Sequence, residues 1–323
     1  MHSLIKICTP ALLILLSACA NKEPVKAFAT TTETFTKSFD TYASQLKNTC
    51  KRKYIYEGIA RQGPYNAAGN INDEKVTCDS FENSEKELKI YSKTVNEYAA
   101  SLGKLAGIEG SVLDDDIDKF SIKVAEFDAE NKGQIPADVM SAVTKLIKTV
   151  ANLSVDFMVE RKIKDELNAN HESLKVVVTQ MQTVVNRAYG AQLNDVSGYA
   201  DELVKGLVPL SFAPKYDDKI SKEKDTYAML LADNTDPKGA TSVKLSRIPY
   251  RLAQAQLYKE KIAIDQEAAA IKSFDKACQA LISAHAELKD NFGKLSKEEM
   301  LSKIKDFYEK AKEARDNFNS IRA

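Results

Sequence analysis

The sequence predicts an all-α protein, an elongated antiparallel helical bundle with coiled-coil-like hairpins. Three observations predict it. Apolar residues return at alternating three- and four-residue steps through most of the chain; no run of alternating β-branched residues between turns competes; and the 12 Gly and 8 Pro of 323 residues break the pattern chiefly in two stretches. A repeat near 3.5 residues keeps each apolar seam against a partner helix. With 44% apolar residues the chain can fill a sizeable core, and 46 basic against 46 acidic side chains leave no positive excess for nucleic-acid binding.

Taken in order, the first helix is expected to open on Thr30-Thr31-Thr32-Glu33 as a capping box and to carry Phe35, Phe39, Tyr42, Leu46 and Cys50. The seam of the next holds Leu88, Tyr91, Val95, Tyr98, Leu102 and Leu105, and a shorter one Leu113, Ile117, Phe120, Val124 and Phe127. Pro136 suits the first turn of a helix bearing Val139, Val143, Leu146, Val150, Leu153 and Phe157. Asn168-Ala169-Asn170 predicts a kink or break before Leu174, Val177, Met181, Val184 and Ala188. Near the end, Ile271, Phe274, Cys278, Leu281, His285, Leu288 and Phe292 form a stripe that Gly293 stops. Ser296 and Glu299 make a second capping box before Met300, Ile304, Phe307, Ala311, Ala314, Phe318 and Ile321. No period of 30 to 45 residues recurs, which disfavours a solenoid.

The two interruptions divide the chain. Residues 51–77 contain Gly58, Gly63, Pro64 and Gly69; residues 207–249 hold Pro209, Pro214, Asp236-Pro237-Lys238-Gly239 and Pro249. The expected organisation is a leader over 1–18, a tether over 19–29, a helical bundle over 30–206, an irregular junction over 207–249 and a helical hairpin over 250–323 that packs on the bundle.

The leader is the most specific signal. A short start bearing Lys6 precedes an apolar run from Ile7 to Leu16, too short to span a bilayer, and Leu16-Ser17-Ala18-Cys19 closes it. That ending resembles the lipobox of bacterial lipoproteins. The resemblance implies cleavage before Cys19, diacylation of its thiol and acylation of the new amino terminus with palmitate-type chains, which together make a stable anchor. By the same resemblance Ala20 implies the outer membrane, with the chain facing the periplasm. Cys50, Cys78 and Cys278 then remain. In an oxidising compartment one bridge and one spare thiol follow, and a Cys50–Cys78 bridge would staple the open end of an antiparallel helix pair.

Chemical constellations are weak, and each has a plainer reading. Asp114, Asp116 and Asp118 alternate as in a calcium loop, yet Lys119 stands where the turn glycine belongs, so an acidic first helical turn fits better. Cys278 and His285, seven apart on one helix, lie too far apart to share a zinc and read as core-seam residues. His171, beside the expected break, reads as a helix-terminal or surface residue. No nucleophile elbow, zinc-protease or phosphate-loop motif occurs, and no cofactor or metal is expected. The loop between Cys50 and Cys78 is the best binding candidate, because Tyr54, Tyr56 and Tyr65 with Arg52 and Arg61 are interface-forming types. The expected function is a non-catalytic, lipid-anchored envelope module that binds or scaffolds another protein, which includes neutralising an envelope-acting toxin. A carrier with a greasy cavity between residues 139–158 and 174–188 is the alternative, and a cell-wall enzyme using a carboxylate pair a remoter one.

Overall fold

The computed structural model of the chain describes residues 22–45, 48–51, 67–108, 117–131, 135–152, 159–190 and 247–321. Among them stand seven α-helices and no strand: α1 (Lys22–Ala43), α2 (Ala67–Ala106), α3 (Ile117–Glu130), α4 (Ala137–Ala151), α5 (Val159–Val185), α6 (Arg247–Asn291) and α7 (Lys297–Ser320). A π-helical turn, Asn186–Gly190, extends α5.

Five helices close a ring in which each packs on two neighbours, in the order α1, α2, α5, α6, α7 and back to α1. Paired residues give the directions. Ser92 and Asn96 of α2 bond to Thr36 of α1, while Gly103 of α2 lies against Ala29, so α1 and α2 are antiparallel. Glu87 and Tyr98 of α2 reach Gln180 and Glu166 of α5, and Asp275 and His285 of α6 reach Gln182 and His171 of α5; both pairs also run antiparallel. Helices α6 and α7 form a hairpin, with Lys276 opposite Glu313 and Glu287 opposite Lys303. A ring of five cannot alternate all the way round. The parallel pair is α1 and α7, where Phe28 meets Phe307 and, further along both helices, Tyr42 stacks on Phe318. Outside the ring α4 packs on α2 and α5, α3 packs on α4, and Lys93 of α2 lies 4.7 Å from the ring centre of Phe120.

One core runs through all seven helices. Its centre is aromatic: Phe274 of α6 stacks at 4.4 Å on Phe39 and at 5.7 Å on Phe35, with Tyr42 and Phe318 beside them. The expected stripes are buried on the described residues of α2, α4, α6 and α7, except that Ile271 and Ile321 are only partly buried against the core. The hairpin of α6 and α7 supplies two of the five staves.

Several boundaries differ from the sequence expectation, each for a local reason. Helix α1 starts at Lys22, within the expected tether, and Thr30–Glu33 lies inside it. Its threonine hydroxyls turn back onto the helix instead of capping it: Thr32, Thr34 and Thr36 donate to the carbonyls of Phe28, Thr30 and Thr32. Helix α5 passes through Asn168-Ala169-Asn170 unbroken. Both amides donate to carbonyls four residues back, and buried Asn170 also bonds the Glu166 carboxylate and accepts from Thr149, so the local competition that usually ends a helix at asparagine is absorbed. The backbone of α2 is already helical from Ala67, because extending an existing helix costs far less than nucleating one. Helix α6 takes Pro249 in its first turn, where a missing N–H leaves no bond unmade. Pro136 sits one residue earlier than expected, as the N-cap of α4. Two end signals fall as expected: Gly293 has φ +77°, and Ser296 and Glu299 form a reciprocal capping box on α7.

Candidate interface at the bridged end and a polar chain in the core

Cys50 and Cys78 are bonded, with sulfurs 2.07 Å apart. The bridge ties the helical turn after α1 to the side of α2. Beside it Thr49 donates a buried hydrogen bond of 3.1 Å to Glu267 of α6, so three chain segments meet there. This end lies a full α1 length from Lys22, about 33 Å for 22 residues. Arg52, Tyr54, Tyr56, Arg61 and Tyr65 lie outside the described residues, as do Cys19 and Asp114 to Asp116. The described residues supply the frame those five are strung from, Lys51 on one side and Ala67 on the other. Five and nine residues before Glu267, α6 exposes Ile262 (40%) and Tyr258 (68%), two large apolar side chains four residues apart. The regular apolar stripe of α6 begins at Ile271 and does not reveal them; the sequence signal for these two is their position off the buried Ile264–Glu267–Ala270 seam.

The polar side chains inside the bundle pair with one another. Tyr98 Oη lies 2.9 Å from His285 Nε2 and 3.4 Å from the Glu166 carbonyl, and His285 Nδ1 lies 3.1 Å from His171 Nδ1. Tyr98 and His285 are fully buried, whereas the His171 side chain is 13% exposed. Burial pushes His285 down to about 3, with the neighbouring His171 and Lys289 adding to the effect, and lowers His171 as well. Burial also raises Tyr98, whose phenol stays protonated. His285 is thus a core residue, as expected, but His171 is drawn inward from the surface position foreseen for it, because α5 continues through the asparagines and carries it against α6. A second buried pair joins Tyr91 Oη to Glu87 Oε1 at 2.6 Å, with Gln180 at 3.4 Å. Cys278 is free and buried, and burial raises its thiol.

The valines and methionine proposed to wall a greasy cavity, among them Val139, Val143, Val177, Met181 and Val184, are packed core. A groove of about 720 Å³ does run between α4 and α5, but Ser141, Thr144, Lys145, Lys148, Thr149, Asn152 and Glu166 line most of it. Among the described residues no group of three or more His, Cys, Asp or Glu side chains is placed to hold a metal ion, and no helix is long and apolar enough to cross a membrane. No protein-family model, no curated protein and no solved structure matches the chain.

Proposed function

We propose that this protein is a lipid-anchored module of the bacterial cell envelope that captures another protein at the end of a helical bundle, without catalysing a reaction. The observation that carries the reading is the polarity of the bundle. Cys19, the acylation site implied by the lipobox resemblance, lies three residues before α1, a reach of at most about 11 Å from Lys22. The Cys50–Cys78 bridge holds the opposite end of α1. An anchor at one end and a covalently closed tyrosine- and arginine-bearing loop at the other suit presentation of that loop away from an outer membrane, into the periplasm. Exposed Tyr258 and Ile262 would widen the same surface. A scaffold in envelope assembly and a neutraliser of an envelope-acting toxin both use such a surface.

The test replaces Tyr56, Arg61 and Tyr65 together by alanine and compares polypeptides crosslinked to wild type and variant in intact cells. Loss of a stoichiometric adduct, with helicity and melting unchanged, is expected. An adduct that survives the triple replacement removes the loop from the proposal.

A further inference from the structure

The chain Tyr98, His285, His171 joins α2, α6 and α5 in one line from the core to the surface. The centroids of the two imidazoles are 5.3 Å apart and their Nδ1 atoms 3.1 Å apart, with the planes only 13° from parallel. The centroids are thus about 2.2 Å farther apart than the nitrogens, a difference matched by the two ring radii. The rings therefore meet edge to edge, nearly in one plane, with Nδ1 aimed at Nδ1. That geometry has room for one hydrogen between the rings and not for two.

Two arrangements of protons satisfy the chain. In one, Tyr98 O–H donates to His285 Nε2 and His285 Nδ1–H donates to His171 Nδ1. In the other, His171 Nδ1–H donates to His285 Nδ1, His285 Nε2–H donates to Tyr98, and Tyr98 O–H donates to the Glu166 carbonyl, for which the 3.4 Å approach is already in place. A proton arriving from solvent at His171 Nε2 is compatible with the second arrangement alone, since a charged His171 has no lone pair left to accept one. A second proton, on His285, would set two N–H hydrogens against each other inside 3.1 Å. The groups around the pair hold mixed charge. Helix α5 supplies Glu166, Glu172 and Lys175; α6 supplies Lys289 and Asp290; α4 sends Lys145 to the carbonyl of Ala169; α2 supplies Tyr98; and α1 sets the Phe28 ring edge-on to His285.

We propose that this chain is an acid-released latch binding α2, α5 and α6 together: one proton reverses its direction without opening it, and a second breaks the contact between α5 and α6. The device is independent of which partner the bridged end captures, and it acts at the level of Phe28 and Phe307, toward the start of α1.

Nitrogen-15 NMR of the full chain, with the two rings assigned from His171→Gln and His285→Asn, tests it. At neutral pH His285 should be the Nδ1–H tautomer. As His171 gains charge, His285 should pass to the Nε2–H tautomer while staying neutral, and at lower pH the amides of α5 and α6 around positions 171 and 285 should exchange at least about tenfold faster than those flanking Phe274, after correction for intrinsic rates. Tyr98→Phe deprives the reversed arrangement of its acceptor and should move the opening to higher pH; a purely packing role for Tyr98 would lower stability equally at every pH. A His285 tautomer that stays fixed while His171 titrates, or equal exchange at both levels, overturns the latch.

Discussion

At the scale of single residues, the aromatic centre and the buried histidine carry the sharpest consequences. Phe274 is fully buried between Phe35 and Phe39, so Phe274→Ala leaves a cavity that three helices cannot close. The expected cost is about 3 to 5 kcal/mol, read as a lowered denaturant midpoint with the helical dichroism retained. His285 makes stability depend on pH with a definite sign. Its folded-state value is depressed from 6.5 to about 3, so the unfolded chain takes up the proton first. The contribution of His285 to stability is therefore fully present above about pH 6.5 and is lost as pH drops toward 3, by at most about 1.4 kcal/mol per pH unit from this one group, and His171, also lowered, adds to the fall. Urea midpoints that do not fall between those limits contradict the burial of His285. The stripe through Phe274, Cys278 and His285 could be read from spacing alone. The pairing of His285 with His171 could not, because it depends on two distant helices meeting in one register and on α5 running through residues that usually end helices.

At the scale of elements, covalent and capping features hold the ends of the staves. Reducing the Cys50–Cys78 bridge, or replacing both cysteines by serine, releases a loop of 28 residues and should cost about 3 to 4 kcal/mol. A melting temperature indifferent to reductant speaks against the bridge. Ser296→Ala removes the hydroxyl that accepts from the Glu299 N–H and bonds its carboxylate, and should cost about 1 kcal/mol, seen as a shift of the melting curve with earlier fraying of α7. The bridge was legible because only three cysteines remained and two of them bracket the ends of adjoining helical patterns, and the glycine stop and this capping box because each depends on a few neighbouring residues. The apparent capping box at Thr30 misled for the same reason. Threonines inside a helix can bond to the preceding turn, and only the packing of Val25, Phe28 and Ala29 into the core shows that the helix has already begun.

At the scale of the whole molecule, the seven-residue periodicity specified packed rods but not their order round the ring. A seam shows that a helix has a neighbour without saying which, so the parallel pairing of α1 and α7, made through Phe28–Phe307 and Tyr42–Phe318, was invisible to spacing. Gly103 marks one place where the ring is close-set. A methyl group there would lie 3.0 Å from the Ala29 side chain and 2.9 Å from Ile108, so Gly103→Ala should destabilise the α1–α2 contact despite its higher helix propensity, measurable as a lower denaturant midpoint. The functional reading rests on the two ends of the bundle being different. The most direct measurement places a photoreactive residue at position 56, within the bridged loop, or at exposed position 308 of α7, toward the start of α1 where the proposed anchor would lie, and irradiates intact cells. A discrete polypeptide adduct from position 56 and none from position 308 is the predicted result; an adduct from 308 alone, or none from 56, would contradict it.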